Sequence, residues 1–495
     1  MAPIESSHFF SQKRAQWLLL LLLLAPYLLL LKVFGLGFIF DFEEFAWAFR
    51  NTVIQSFISA LCSLGLCLIF AYGYFALKSE KNQKIFMAVA LAPNFLPPLF
   101  ILLSVLEMID PMPRGWLAIS FVHTLINLGL CSMVLIGAIQ NKLATYLESA
   151  LVLGVRRRAF FFRVVVPLLK KDFLFIFAFV FNICFSSFSI PLILGGGKGT
   201  TLQVLIYEKM RIANDWSSAL VISFLQSFLL LLLGLFIRRD GNQKTKNWLV
   251  RADIVSSKVS LGFFILLHLW LLLGYFFVVN EGIDRIQPHD IDGSILLPQM
   301  LNSVYLGLLV AFFTFVLLSL FSFAIERNWF QRFLDSYTTP STAFVGFVFL
   351  LLWPTSKETQ ILRLGVALSF LFIPFLLKLY LIPKINLMGP QKQVAQLSGA
   401  SEQLIWFKIV WPQVMPEIAF GAAIAAAWAI GDFALARMML IGNDTLALAA
   451  ETLMSSYRLP LAGILSVVVL VVSTSCFFVV RKLIYVFGEN LKKKL

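Results

Sequence analysis

Glu148-Ser-Ala-Leu-Val-Leu-Gly154, followed nine residues later by Val164-Val-Val-Pro167, occurs a second time in altered form. The second copy reads Gln393-Val-Ala-Gln-Leu-Ser-Gly399, then Ile409-Val-Trp-Pro412. Gly154 to Pro167 spans 13 positions, as does Gly399 to Pro412, and the two glycines lie 245 positions apart in a chain of 495. A glycine after a run of helix formers suits a helix end, and a proline suits the first turn of the next helix. Each copy therefore reads as a short helix, a turn, and a helix leading onward. Duplication at half the chain length predicts two related halves.

The copies are polar islands in an oily sequence. Hydrophobic residues make up 60% and charged residues 13%, against about 25% charged in soluble domains. Mean hydropathy is +0.87. The net charge of +14 comes from Lys and Arg in short loops between apolar runs, the pattern of membrane topology rather than of a nucleic-acid-binding face. Cys62, Cys67, Cys131, Cys184 and Cys476 all lie in apolar stretches, form no CxxC pair and accompany only four His. No metal site, disulfide frame or cofactor is expected. Lys13 and Arg14 precede a Leu-rich run that continues to Phe40 without a small-residue cleavage site, so this segment reads as an uncleaved first span.

A bilayer core takes about 20 apolar residues per helix. Twelve runs meet or approach that length: 17–38, 52–77, 86–108, 116–140, 172–194, 216–237, 259–279, 298–325, 338–354, 361–383, 417–440 and 460–480, the ninth being the shortest. Lys and Arg fall in the loops 78–85 and 238–258 and in the tail, while Asp41, Glu43, Glu44, Glu281, Asp284, Asp290 and Asp292 fall in alternate loops. The charge bias puts both termini and both Gly–Pro segments in the cytoplasm. Six spans per half make the halves parallel repeats about an axis along the membrane normal. Asn51-Thr-Val and Asn302-Ser-Val, each near the start of its half's second span, repeat at an offset of 251. The polar stretch 239–258 is the expected linker.

Glu-Ser-Ala-x-x-Leu-Gly with Val-x-x-Pro resembles the EAA loop of permease subunits of bacterial binding-protein-dependent ABC importers. Glu148, Ala150, Leu153, Gly154, Phe161, Val164 and Pro167 lie on that pattern. The second copy keeps Ala395, Gly399 and Pro412 but places Gln393 and Val394 where the pattern has an acid and an alanine. The resemblance implies a type I permease fold, all-α and polytopic, with about twelve transmembrane helices in two six-helix repeats. It implies halves at 1–245 and 246–495, with cytoplasmic coupling loops at about 141–171 and 385–416. In that family the loop forms a coupling helix that docks onto an ATPase subunit. The implied partners are two copies of a cytoplasmic ABC ATPase, an extracytoplasmic solute-binding protein, membrane lipid and a small solute, with the chain itself in the bacterial inner membrane. Fusion of both halves is similar to the thiamine and iron(III) permeases. Gly431-Asp-Phe433 with Ser456-Tyr-Arg458 resembles the thiamine group more.

Inside the spans, Asp432 is costly to bury and reads either as a pathway residue or as a partner of Arg437 or of backbone. Pro93, Pro97 and Pro98 should kink or break the third span, and Pro97 and Pro98 are candidate pathway positions. Gly195-Gly-Gly-Lys-Gly-Thr200 lacks the spacing of a nucleotide-binding loop, and no other Walker motif occurs. Hydrolysis of ATP is thus expected from a separate chain, and this chain is not expected to be an enzyme. An ion-coupled secondary transporter with two six-helix halves is the competing reading. Its usual Gly-x-x-x-Asp-Arg-x-Gly-Arg loop has no counterpart in Lys78-Ser-Glu-Lys-Asn-Gln-Lys84.

Overall fold

The computed structural model describes residues 11–31, 41–236, 255–287, 293–326, 328–337, 341–353, 356, 359–442 and 444–494. The expected boundary at 245/246 and most of the expected linker lie outside them. Every regular element among the described residues is helical. An apolar run in hydrocarbon must satisfy its own backbone groups, and a helix does so within one segment.

The first half comprises α1 (Gln12–Leu31), α2 (Phe42–Phe75), α3 (Glu80–Phe95), α4 (Pro98–Met108), α5 (Trp116–Val152), α6 (Arg157–Phe160), α7 (Val166–Phe185), α8 (Ser189–Leu194), α9 (Leu202–Tyr207) and α10 (Trp216–Phe236). The second comprises α11 (Lys258–Arg285), α12 (Gly293–Ala324), α13 (Trp329–Ser336), α14 (Thr342–Leu352), α15 (Gln360–Leu376), α16 (Ile382–Leu387), α17 (Gly389–Leu397), α18 (Glu402–Ile405), α19 (Trp411–Ile430), α20 (Ala434–Met439), α21 (Leu446–Ser455) and α22 (Leu459–Lys494). Single π-helical turns at Phe161–Val165 and Trp406–Val410 join α6 to α7 and α18 to α19.

Each of the twelve expected runs holds a helix, but their lengths differ. Among the described residues, seven helical stretches are long and apolar enough to cross a bilayer unbroken, and α3 with α4 makes an eighth if that bent pair is one span. The bend is 94°. Its cause is local. Pro97 and Pro98 cannot donate to the preceding turn, Leu96 before them adopts an extended backbone, and Pro98 opens α4. The ninth run is only 11 residues as α14. The eleventh breaks at Gly431–Phe433, between α19 and α20.

Equivalent residues of the two halves make equivalent contacts. The Asn51 amide donates to the Thr200 carbonyl at 3.2 Å, and Asn302 donates to that of Asp444 at 3.1 Å. The Thr52 hydroxyl accepts from the Leu202 N–H at 2.9 Å, and Ser303 accepts from that of Leu446 at 2.9 Å. These bonds give the Asn-Thr/Asn-Ser repeat its physical meaning. It pins the segment that follows each half's broken helix onto the second helix of that half.

The first helix of each half crosses to the other half. On α1, Gln12 and Gln16 donate to the last carbonyls of α12, Phe323 at 3.1 Å and Ala324 at 2.9 Å. Those carbonyls are orphans of the helix end, and the glutamines supply the missing donors. Tyr27 then stacks on Phe344 of α14, with centroids 4.6 Å apart. The counterpart on α11 is Tyr275 against Phe100 of α4 at 5.1 Å. Nearer its start, Phe264 of α11 stacks on Phe86 of α3 at 3.8 Å. This exchange interlocks the halves.

Candidate functional site: two Gly–Pro turns and a cleft between the halves

Both Gly–Pro segments fold into one motif. Gly154 has φ +62° and Gly399 φ +78°. The Val155 N–H donates to the Ala150 carbonyl at 3.1 Å and Gly154 to Leu151 at 3.3 Å. Likewise Ala400 donates to Ala395 at 3.1 Å and Gly399 to Gln396 at 3.0 Å. This pair of bonds is the Schellman motif, which closes a helix through one left-handed residue. A Cβ added to either glycine would meet no atom within 4 Å, so the backbone angle, not space, demands glycine. Pro167 and Pro412 sit in the first turn of α7 and α19, each just past the π turn.

The sequence anticipates a short separate helix before each turn, and the copies differ there. In the first copy α5 runs unbroken from Trp116 to Val152. In the second, the helix is interrupted at Met388, and α17 starts afresh at Gly389–Pro390. Ala150 is buried, Leu153, Gly154 and Pro167 are exposed, Gln393 and Gly399 are exposed, and Ala395 and Pro412 are half-buried. The Glu148 side chain lies outside the described residues. Sequence matching singles out Leu153, whose counterpart is Ser398. The apolar residue both copies present is one position earlier: Val152 is 88% exposed and Leu397 89%. Behind the turns lie equivalent ion pairs, Lys142–Asp172 at 2.7 Å and Lys384–Glu417 at 3.0 Å. Burial lowers the Lys392 ammonium pKa, and the Glu326 carboxylate partly offsets this.

At the other end of α5, about 55 Å away at 1.5 Å per residue, the halves meet around a cavity of about 630 Å³. Its walls come from the Asp110–Arg114 loop, α8 with Gly195–Gly197, α9, and α20 to Leu459. Arg437 forms an ion pair with Glu451 and donates to the Thr452 hydroxyl at 2.8 Å. Ser455 donates to the other Glu451 oxygen at 3.1 Å. Arg114 of the first half donates to the Tyr457 hydroxyl of the second and lies 5.5 Å from its ring centroid. Burial raises the Glu208 carboxyl pKa; the Glu44 carboxylate adds to this and Lys209 opposes it.

Of the candidate pathway residues, Pro97 is brought against the Gly431–Asp432 break. A Cβ on Gly431 would overlap the Pro97 ring, so the broken helices of the two halves nest at a glycine. Asp432 accepts from the Leu435 N–H at 2.8 Å and so caps α20. Its partner is backbone, while Arg437 pairs elsewhere. Pro98 is half-buried at the start of α4. Sequence reading missed Glu451; the signal was an acid inside the apolar run Leu446–Ser455. Among the described residues no group of three or more His, Cys, Asp or Glu could hold a metal.

Residues 65–239 match the family described as "Binding-protein-dependent transport system inner membrane component". The chain is 26% identical over 408 residues to the thiamine transport system permease protein ThiP of Escherichia coli, covering 77% of this chain and 74% of that one. It is 26% identical over 399 residues to the protein of the same name from Salmonella typhimurium, covering 75% and 73%. A sulfate transport system permease protein, CysT of Salmonella typhimurium, is 28% identical over 136 residues, 26% of this chain and 48% of that one. No solved structure matches. Taken with the all-helical repeat and its paired Gly–Pro turns, these likenesses support a multi-pass, fused permease resembling the thiamine permeases of binding-protein-dependent ABC importers.

Proposed function

We propose that the chain imports a small solute, of thiamine type, by alternating access driven by a separate ATPase. The observation that carries this reading is the pair of Schellman turns with one geometry and one spacing. Two equal turns suit two copies of one ATPase, each receiving an exposed helix end with Val152 or Leu397 at its tip. Glu148, Ala150, Leu153, Gly154 and Pro167 form one docking element, and Gln393, Ala395, Gly399 and Pro412 the other, one in each of the halves 1–245 and 246–495. Both turns and both termini face the cytoplasm, and a solute-binding protein delivers at the far end. The permease makes no covalent change to the solute. Closure of the ATPase pair shifts the population between two arrangements of the halves.

Replacing Gly154 or Gly399 with Leu tests the coupling. Expected are normal membrane insertion, loss of uptake, and ATP hydrolysis no longer stimulated by solute. Normal uptake in both variants overturns the docking role. A purified permease that transports without any ATPase overturns the ATP-driven reading.

A further inference from the structure

The cavity between the halves contains two positions suited to a cation, and the protein's own guanidiniums occupy both. Arg437 sits on Glu451, and Arg114 lies against the Tyr457 ring. Glu451 is only 3% exposed, and a carboxylate that buried needs a positive partner. Asp110 and Glu208 also line the cavity, and neither has an ion-pair partner among the described residues. With Arg437 and Glu451 cancelling, the remaining lining charges are Asp110, Glu208 and Arg114, a net negative balance. Tyr207 and Tyr457 supply aromatic faces, which attract cations. Arg437 and Tyr207 also border a second cavity of about 270 Å³ on α9, α20 and the Leu440–Gly442 segment. The Arg437–Glu451 pair thus stands at the wall between two spaces.

We propose that this cavity is a binding site for a small organic cation, which takes Glu451 from Arg437 as it enters. The inference rests on the permease reading and adds a place for its thiamine-type solute and the exchange of partners at Glu451. Exchange of one cation for another at Glu451 leaves the buried carboxylate paired throughout. The freed Arg437 turns toward the second cavity, which it already lines. A flat, weakly hydrated cation loses less hydration on entry than a metal ion does and can use the tyrosine faces.

The test uses the full chain in lipid nanodiscs and equilibrium binding of thiamine, choline, sulfate and thiochrome, the neutral ring-closed oxidation product of thiamine. Thiamine is expected to bind at least tenfold more tightly than thiochrome. Glu451→Gln should weaken thiamine binding about tenfold or more, and Arg437→Gln should strengthen it severalfold by removing the competitor. Equal weakening by both variants overturns the exchange, because the pair is then a structural clamp. If Glu451→Gln does not fold, Glu208→Gln and Asp110→Asn carry the test. They break no ion pair and should each weaken binding about threefold; no change in either overturns the site. Glu451-dependent binding of choline but not thiamine keeps the site and removes the thiamine-type reading. Uptake of thiamine by the complete transporter, with binding indifferent to all three carboxylate variants, keeps that reading and overturns the site. Sulfate binding that depends on Arg437 overturns the solute class.

Discussion

The two Gly–Pro turns share a backbone, an exposed apolar tip and an ion pair behind it, but not their wider surroundings. Their hydrogen bonds agree residue for residue, as do the left-handed glycines and the π turns that follow. Their surroundings differ. The first follows an unbroken helix and exposes Arg156, Arg157, Arg158 and Arg163; the second follows a break at Met388 and carries Glu402, whose carboxylate accepts from the Gln12 N–H at 3.0 Å. The cores of the two halves differ too. In the first half Gln55, His123 and Asn127 are buried together, with Gln55 Oε1 2.9 Å from His123 Nδ1. At an offset of 251 for Gln55, and of 244 for the other two (the offset of Thr200 and Asp444), their counterparts are Leu306, Ala367 and Leu371, also buried. A turn defined by φ and backbone bonds tolerates wide side-chain change, so one geometry persists in two halves whose side chains differ.

The largest expected effect separates frame from surface. Gly154→Leu and Gly399→Leu should each cut uptake more than tenfold, with about 1–2 kcal/mol of left-handed strain as the local cause. Val152→Ser and Leu397→Ser keep the frame and should cut uptake less. If one turn tolerates leucine and the other does not, the turns are functionally unequal, which transport assays on the two variants will show.

Gly431→Ala should lower stability by about 1–3 kcal/mol through overpacking on Pro97, read as a fall in thermal midpoint. Pro97→Ala in the same chain should recover part of that loss. Additive effects would place the contact elsewhere.

The ion pairs come next. Lys142→Met leaves Asp172, 9% exposed, without its partner and should cost about 1–2 kcal/mol. Lys384→Met leaves Glu417, 25% exposed, and should cost less. Equal costs would show that burial does not set the difference.

Smallest are Asn51→Ala and Asn302→Ala, each expected to cost about 1 kcal/mol for one lost hydrogen bond. Near-equal values in unfolding titrations would match their shared geometry. A large inequality would mark one half as the more rigid.

Much of this was legible because it depends on spacing and local backbone chemistry. The 13-residue Gly–Pro interval, the Asn-Thr/Asn-Ser repeat and the Pro97–Pro98 break are local features, and each appears where the residues put it. The span count was less secure. Hydropathy cannot tell a full crossing from two pieces bent by 94° or from the 11-residue α14. Asp432 looked like a charge in mid-span because the break at Gly431 is carried by a glycine and an aspartate, residues that also occur inside helices.

By itself the sequence determined an all-helical membrane chain, its duplication, and the residues at which helices must stop, because composition, periodicity and φ preferences act over a few residues. Only the tertiary structure decided which helix meets which. It placed α1 on the second half and α11 on the first, set Pro97 against Gly431, and joined Arg437 to Glu451 instead of Asp432. Such pairings depend on shape matched across hundreds of residues for the helices, and on a desolvated charge choosing between near neighbours for Arg437, 14 residues from Glu451; no local pattern encodes them.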